Sequence, residues 1–158
     1  MKTPDPEVQA VAPTLDKAPA QALAERVRDG MFAADAAAHG LGMRVLSISP
    51  GHASVAMAVR PDMLNGFGTC QGGLISTLAD MAFAYACNST NELTVASGFD
   101  VDLLAPARLG DELLARAAVV SQTGRMGLYD VEVRNQANDR VAMFRGRAYR
   151  LQGKTVVA

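Results

Sequence analysis

The 158-residue sequence predicts an α+β domain in which a curved antiparallel sheet wraps around one long central helix. Three observations carry this. A single long apolar segment, residues 74–87, has the spacing of a helix enclosed on most sides. Two β-type segments precede it and four follow it, each bounded by turn residues. No internal repeat or second-domain linker interrupts the chain, and 49% hydrophobic residues are enough for one core of ordinary size.

Four of the seven prolines, Pro4, Pro6, Pro13 and Pro19, fall in the first nineteen residues among Ala, Gln and Thr. With hardly any large apolar side chain, residues 1–19 are expected to be a flexible leader and residues 20–158 the single folded domain. Leu23, Val27, Met31 and Phe32 then recur with a helical period. Glu25, Arg26 and Arg28 occupy the other side and Gly40 is a stop signal, so one amphipathic helix is expected over 20–39. Residues 43–49 and 53–60 read as two strands joined at the turn Pro50-Gly51-His52.

After Pro61 the pattern changes to a glycine-studded loop, Asn65-Gly66-Phe67-Gly68-Thr69-Cys70-Gln71-Gly72-Gly73. It leads into the central helix, where Leu74, Ile75, Leu78, Met81, Ala82 and Tyr85 share one face. The remaining strands are expected at 93–104, 111–122, 126–137 and 140–151, with turn signals at Pro106, Gly110, Gly124 and Asn138-Asp139. Tyr129, Val131 and Val133 alternate with Asp130, Glu132 and Arg134, giving one dry face and one wet face.

The formal net charge is −1 and no run of Lys or Arg stands out, so a nucleic-acid partner is not expected. Two cysteines, Cys70 and Cys87, and two histidines, His39 and His52, are too few and too scattered for a zinc site, and no metal is expected. The first residues hold no apolar stretch of signal-peptide length, and no later run approaches the ~18 uncharged apolar residues of a spanning helix. A cytoplasmic, reducing location and no membrane partner are expected.

Between Asp62 and Glu92 the sole charged side chain is Asp80, inside the apolar helix. A carboxylate there is costly unless it is partnered or used. It reads either as a core aspartate satisfied by a cap or backbone donor, or as a general base or nucleophile. A helix starting at Gln71-Gly72-Gly73 exposes unpaired N–H groups at its positive end, and the glycines let a ligand oxygen approach them. An oxyanion hole can be built this way; the plain alternative is a tight turn. Gly66 and Gly68 are not followed by Gly-Lys-Ser/Thr, so a standard nucleotide-binding glycine loop is disfavoured.

Asp80 lies eight residues after Gly72, so on one helix the two Cα atoms are ~12 Å apart along the axis. A base and an oxyanion donor that serve one carbonyl must each lie ~3 Å from their reacting atoms. If the two cooperate, the second helix comes from an antiparallel neighbouring copy, with Gly72 of one chain near Asp80 of the other. That predicts a homodimer with two shared sites. Neither histidine lies in this region, so Ser–His–Asp and Cys–His chemistry lacks a base, and Cys70 and Cys87 read as small hydrophobes. A thioester suits the remaining set. Its thiolate leaving group, with a pKa of about 8.5 as the free thiol, needs little protonation. An amide would demand a general acid that is absent here.

The stretch Asn65-Gly66-x-Gly68-x-x-Gln71-Gly72-Gly73, then Ala79-Asp80 and Ala82-Phe83-Ala84-Tyr85-Ala86-Cys87-Asn88, resembles the hotdog-fold acyl-CoA thioesterases of the phenylacetate-degradation PaaI type. Gly127-Leu128-Tyr129-Asp130-Val131-Glu132-Val133 and Val141-Ala142-Met143-Phe144-Arg145-Gly146 resemble the same family, and the likeness runs over about 32–151. It implies a hotdog fold, dimers that pair into homotetramers, no cofactor, and hydrolysis of aryl-acetyl-CoA thioesters such as ring-hydroxylated phenylacetyl-CoA. Carried over by position, Asp80 is the base or nucleophile, Gly72 the backbone donor to the thioester carbonyl, and Asn65 a polar group that orients water or substrate. Gly73 belongs to the same substrate-binding turn.

Two positions depart from the family. Gln71 stands where a histidine is usual, so it can orient a carbonyl but cannot titrate near neutral pH. Ala34 stands where an asparagine is sometimes found. Phe67, Phe83 and Tyr85 are candidate walls for an aryl group. Coenzyme A brings phosphates that favour basic residues at the pocket mouth, and Arg108, Arg125 and Arg145 are the candidate suppliers. Two other functions compete, a hydratase or dehydratase of acyl thioesters and a non-catalytic acyl-CoA-binding regulator.

Overall fold

The computed structural model describes residues 17–158. Helix α1 (Lys17–Ala33) starts three residues before the expected position. Pro19 falls in its first turn, where the missing N–H would have had no intrahelical acceptor. Residues 1–16 of the expected leader lie outside the described residues. The single helix expected over 20–39 is two. The chain breaks at Ala34 and Asp35, and α2 (Ala36–Gly40) follows. Asp35 causes the break: its Oδ1 accepts the Ala38 N–H at 3.0 Å and caps a new helix instead of continuing the old one.

All six expected strands are present: β1 (Arg44–Ser49), β2 (His52–Ala58), β3 (Glu92–Leu103), β4 (Glu112–Thr123), β5 (Met126–Arg134) and β6 (Arg140–Thr155). They form one sheet in the order β1-β2-β4-β5-β6-β3, and every neighbouring pair is antiparallel. The central helix α3 (Gly72–Asn88) packs across the inner face, touching strands from β1 to β6. The fold is a hotdog, a helix wrapped in a curved sheet.

Along β5 the pattern read from the sequence holds, with Gly127, Tyr129, Val131 and Val133 buried and the residues between them half-exposed. Residues directly opposite on antiparallel strands share a face, so Val131 brings Ala117 of β4 and Phe144 of β6 to the same inner layer. From α3, Leu78, Ala82, Phe83 and Tyr85 close onto that layer. The Phe83 ring sits edge-on to Tyr129 at 5.5 Å between centroids and 5.7 Å from Phe144. It lies directly over Gly146, where any Cβ would come within 2.8 Å of the ring. Phe83 and Tyr85 are therefore core residues, 1% and 0% exposed, and are not walls of an open pocket as considered above.

Two asparagines tie the far end of α3 to the sheet. Asn88 Nδ2 donates to Thr94 O at 3.0 Å, and Thr94 N donates back to Asn88 Oδ1 at 2.9 Å. Asn91, in the left-handed region at φ 62°, accepts the Val156 and Val157 N–H groups on its Oδ1. At the sheet edges the two sides differ. Edge strand β1 is covered by α1, with Gln21 Nε2 donating to Ile48 O at 2.8 Å. Among the described residues, edge strand β3 has no neighbour on its outer side. Its register places Phe99, Val101 and Leu103 opposite Gly146, Phe144 and Ala142, on the inner face, where Phe99 stacks on Phe144 at 4.8 Å. Phe99 and Leu103 nevertheless remain 44% and 52% exposed. Among the described residues no helix is long and apolar enough to cross a membrane.

Candidate active site

The glycine loop is a built structure. Asn65 Oδ1 accepts the N–H groups of Phe67 at 2.9 Å and Thr69 at 3.2 Å, and its Nδ2 donates to Thr69 Oγ1 at 3.0 Å. Gly68 turns through φ +74°, and bridges Leu64 to Cys70 and Thr69 to Arg108 fasten both flanks. Asn65 thus shapes the loop, and one of its two amide hydrogens is left for a ligand or water.

The loop delivers the chain to α3 through Gln71, whose N–H donates to Met63 O at 2.8 Å and whose carbonyl accepts Leu74 N at 2.9 Å. The Gln71 side chain is exposed and makes no capping bond. Gly72 and Gly73 follow as the first helical residues, and among the described residues their N–H groups have no acceptor. The positive end of the helix is therefore open to an anionic oxygen. The two glycines differ in surroundings. A Cβ on Gly73 would meet nothing within 4 Å, whereas one on Gly72 would lie 2.4 Å from Leu103 Cδ1. Beside them a cleft of about 270 Å³ runs between Asn65, Gly72 and Ile75 on one side and Leu103, Leu104 and Pro106 on the other. It falls just under the ~300 Å³ lower end of ordinary ligand pockets, as half of a site would.

Asp80 stands two turns further along α3, half-buried on the side that carries Gly73, Thr77 and Ala84. Ser76 Oγ and Thr77 Oγ1 donate to the Gly72 and Gly73 carbonyls at 2.9 and 2.8 Å, so neither hydroxyl turns its hydrogen to the carboxylate. Among the described residues Asp80 has no side-chain hydrogen bond and no ion pair, and burial raises its pKa above 3.8. The reading as a satisfied core aspartate lacks its required partner. Helix α3 runs unbroken from Gly72 to Asp80, so one protomer keeps them ~12 Å apart along the axis.

The structure gathers Asn65, Gln71, Gly72, Gly73 and Arg108 at the N-terminal end of α3. Arg108 adjoins the loop through Thr69, its N–H donates to Asp111 Oδ2 at 2.8 Å, and its guanidinium is exposed without an ion pair among the described residues. Arg125 lies at the opposite end, donating to Tyr149 Oη at 3.2 Å and to Gln152 Oε1. Arg145 is on the outer face, clamped to both oxygens of Asp130 at 2.6 and 2.7 Å, with Asp100 and Asp102 around the same cleft. Asp130 is held below the usual carboxylate range by that Arg145 bond. An arginine so neutralised, among three aspartates, is a poor phosphate ligand.

Phe67, at the loop tip, is 94% exposed. His39 packs against Phe32 with the rings tilted by 55° and reaches Phe32 O at 2.8 Å, and His52 bonds Pro50 O; neither lines the cleft beside Gly72. Burial pushes the Cys70 thiol up and takes Cys87 to about 12, so both are protonated at neutral pH. Among the described residues no three His, Cys, Asp or Glu side chains stand close enough to hold a metal. Leu103, which lies against Gly72, has no signature in the sequence. A leucine ending a strand carries no signal there, and only the closure of β3 beside α3 brings it over Gly72.

Comparison with known proteins agrees with this arrangement. The thioesterase superfamily profile matches residues 67–142. The acyl-coenzyme A thioesterase PaaI of Escherichia coli is 46% identical over 123 residues, 78% of this chain and 88% of that protein. An Archaeoglobus fulgidus putative esterase is 36% identical, covering 82% and 84%. The solved structure of the E. coli PaaI protein, from the phenylacetic acid degradation operon, superposes with a TM-score of 0.83 at 43% identity, covering 85% of this chain and 97% of that one. The TT0310 protein of Thermus thermophilus reaches a TM-score of 0.71 at 40% identity, covering 74% and 98%. With 46% identity over most of both chains and a hotdog sheet that superposes closely, the chain belongs to the hotdog thioesterase superfamily, among its PaaI-like acyl-CoA thioesterases, and is a thioester hydrolase.

Proposed function

We propose that this chain hydrolyses aryl-acetyl-CoA thioesters, (hydroxy)phenylacetyl-CoA in particular, to the free acid and CoA, at sites shared by two copies. The observation that carries this is the pairing of an unpartnered Asp80 with an open Gly72 N–H that the same helix holds ~12 Å away. A second, antiparallel α3 removes the gap. The bare edge of β3, with Phe99 and Leu103 exposed on its inner face, supports such a partner, because unpaired strand edges and apolar patches favour association. Dimers of this kind pairing into a cytoplasmic homotetramer complete the reading.

In the shared site the thioester carbonyl oxygen accepts the Gly72 N–H, and Asn65 and Gln71 border it with amide donors. The Asp80 carboxylate of the other copy takes a proton from water as the water oxygen bonds to the carbonyl carbon. The negative charge that develops on the carbonyl oxygen is held by the N-terminal dipole of α3. As the intermediate collapses the C–S bond breaks, and the proton on Asp80 passes to the departing sulfur. Arg108, beside the loop, faces the phosphates of the coenzyme.

The test is thiol release from phenylacetyl-, hydroxyphenylacetyl-, benzoyl- and straight-chain acyl-CoA. Highest kcat/KM on the arylacetyl substrates is expected, and background rates throughout would remove the proposal. Hydration of a crotonyl thioester without thiol release would instead favour the hydratase. Unchanged thiol release by Asp80→Asn would favour the non-catalytic regulator.

A further inference from the structure

The start of α3 and the end of β3 meet at Gly72 and Leu103. Apart from chain neighbours and the helix backbone, the atoms of the described residues within 4 Å of a Cβ position on Gly72 are Cδ1 and Cγ of Leu103. We propose that Leu103 determines acyl specificity: it admits acyl groups with a methylene beside the carbonyl and refuses those that carry a ring or a branch there. The inference rests on the reading of Gly72 as the donor to an arylacetyl thioester and names the residue that selects this acyl class.

Distance brings the leucine and the reacting carbonyl together. The Cδ1 methyl stands where a side chain on residue 72 would begin, which puts it within about 5 Å of the Gly72 nitrogen. An oxygen that accepts the Gly72 N–H lies ~2.9 Å from that nitrogen, and its carbonyl carbon lies ~4 Å from it. The leucine methyl and the carbonyl carbon are thus neighbours of one nitrogen, and the groups on that carbon are seated beside Leu103. The lining identifies the acyl side. Ile75, Leu104, Ala105 and Pro106 make the cleft mostly apolar, and among the described residues no charged side chain lines it. Such a wall suits hydrocarbon and not a phosphorylated carrier. Ile75 is buried in the core, whereas Leu103 is half-exposed and open to whatever enters.

The backbone on both sides of the cleft is held. Leu103 is paired with Ala142 of β6, and the N–H groups of Leu104 and Ala105 both donate to Val141 O, at 2.9 and 3.3 Å. The Cys70 N–H donates to Ala107 O at 2.8 Å, which ties the glycine loop to the same connection. The width of the cleft at Gly72 is therefore set by the side chain of residue 103 and by the absence of one at residue 72. A ring bonded directly to a thioester carbonyl is conjugated with it, lies in its plane and cannot turn away from a methyl beside the carbonyl. A ring carried on a methylene swings out of that plane, and only the methylene has to pass the leucine.

The experiment measures kcat/KM for phenylacetyl-, α-methylphenylacetyl- and benzoyl-CoA, one carrier throughout, with the wild type, Leu103→Ala and Leu103→Met. The wild type is expected to prefer phenylacetyl-CoA to the other two by about tenfold or more, the usual discrimination from one misplaced small group in a pocket. Leu103→Ala is expected to raise both disfavoured-to-phenylacetyl ratios by about tenfold. Leu103→Met, which restores the volume, is expected to keep both ratios within about threefold of the wild type. A ratio of two substrates on one protein is unmoved by loss of folded protein, so a merely structural role for Leu103 leaves it unchanged. Unchanged ratios in Leu103→Ala, or equal shifts in Leu103→Met, would overturn the selection by Leu103 while leaving the arylacetyl hydrolase standing. Wild-type rates highest on benzoyl-CoA, or at background on all three, would remove the arylacetyl reading and the selection with it.

Discussion

Leu103 Cδ1 occupies the space that a side chain on residue 72 would need, 2.4 Å from the Cβ position of Gly72. The strand that leads away from the central helix thus returns to cap the first residue of that helix. Leu103 is also the wall of the cleft that faces Gly72, so a group that reaches the start of the helix through this cleft passes beside Leu103.

Gly72→Ala should therefore fold but lose activity. The added methyl displaces only the end of a half-exposed leucine side chain, a small stability cost, but it narrows the approach to the proposed oxyanion donor. A fall in kcat/KM of about tenfold or more is expected. Combining it with Leu103→Ala is expected to restore the melting temperature and not the rate. Recovery of both would assign the defect to packing alone.

On the proposed mechanism Asp80→Asn removes the base, and kcat is expected to fall by about 10²–10⁴. Because Asp80 has no side-chain partner among the described residues, the variant should be no less stable than the wild type. The linkage has a definite sign. Burial raises the folded pKa of this carboxyl above 3.8, so the folded state holds the proton more tightly than the unfolded chain. Wild-type stability relative to Asp80→Asn should fall as pH climbs from the unfolded value through the raised folded one, then level off. The acid limb of kcat/KM should have its midpoint above 3.8 for the same reason. Urea titrations of both proteins at several pH values, with a pH–rate profile, check the pair of statements.

Complementation separates a shared site from a solitary one. Asp80→Asn and Gly72→Val are each expected to be inactive as pure proteins. Unfolded together and refolded as a mixture, half of the dimers should be mixed, and each of these has one intact site. About one quarter of wild-type activity should return. No recovery would show that one protomer carries the whole site.

Asn88→Ala tests the tie between α3 and β3. The reciprocal bonds of Asn88 and Thr94 are buried, and truncation leaves the Thr94 N–H without an acceptor. A loss of about 2–3 kcal/mol in urea unfolding is expected.

The six strands and the central helix were legible because each declares its own period. The dry and wet alternation of 129–134 needs no distant information, and neither does the apolar face of 74–85. The apolar spacing over 20–39 predicts one continuous helix, and one capping bond from Asp35 outweighs that period locally. Phe83 and Tyr85 had the right chemistry for a pocket wall and the wrong address. Helical spacing cannot distinguish a face toward a cavity from one pressed on Gly146 and Tyr129. The glycine loop and Asp80 stood out because a lone charge in an apolar helix and glycines at a helix start are anomalies along the chain itself.

By itself the sequence determined the six strands and the central helix, the anomaly of Asp80 and the glycines at the helix start, and the distance that keeps them apart on one helix, since all of these depend on neighbours along the chain. Tertiary structure alone decided that Leu103 closes over Gly72, that Asp130 silences Arg145, and that Arg125, Arg150 and Lys154 face one cleft. Those relationships arise where strands far apart in sequence come into register, and side-chain charge and contact at such places are set by sheet geometry that no local pattern encodes.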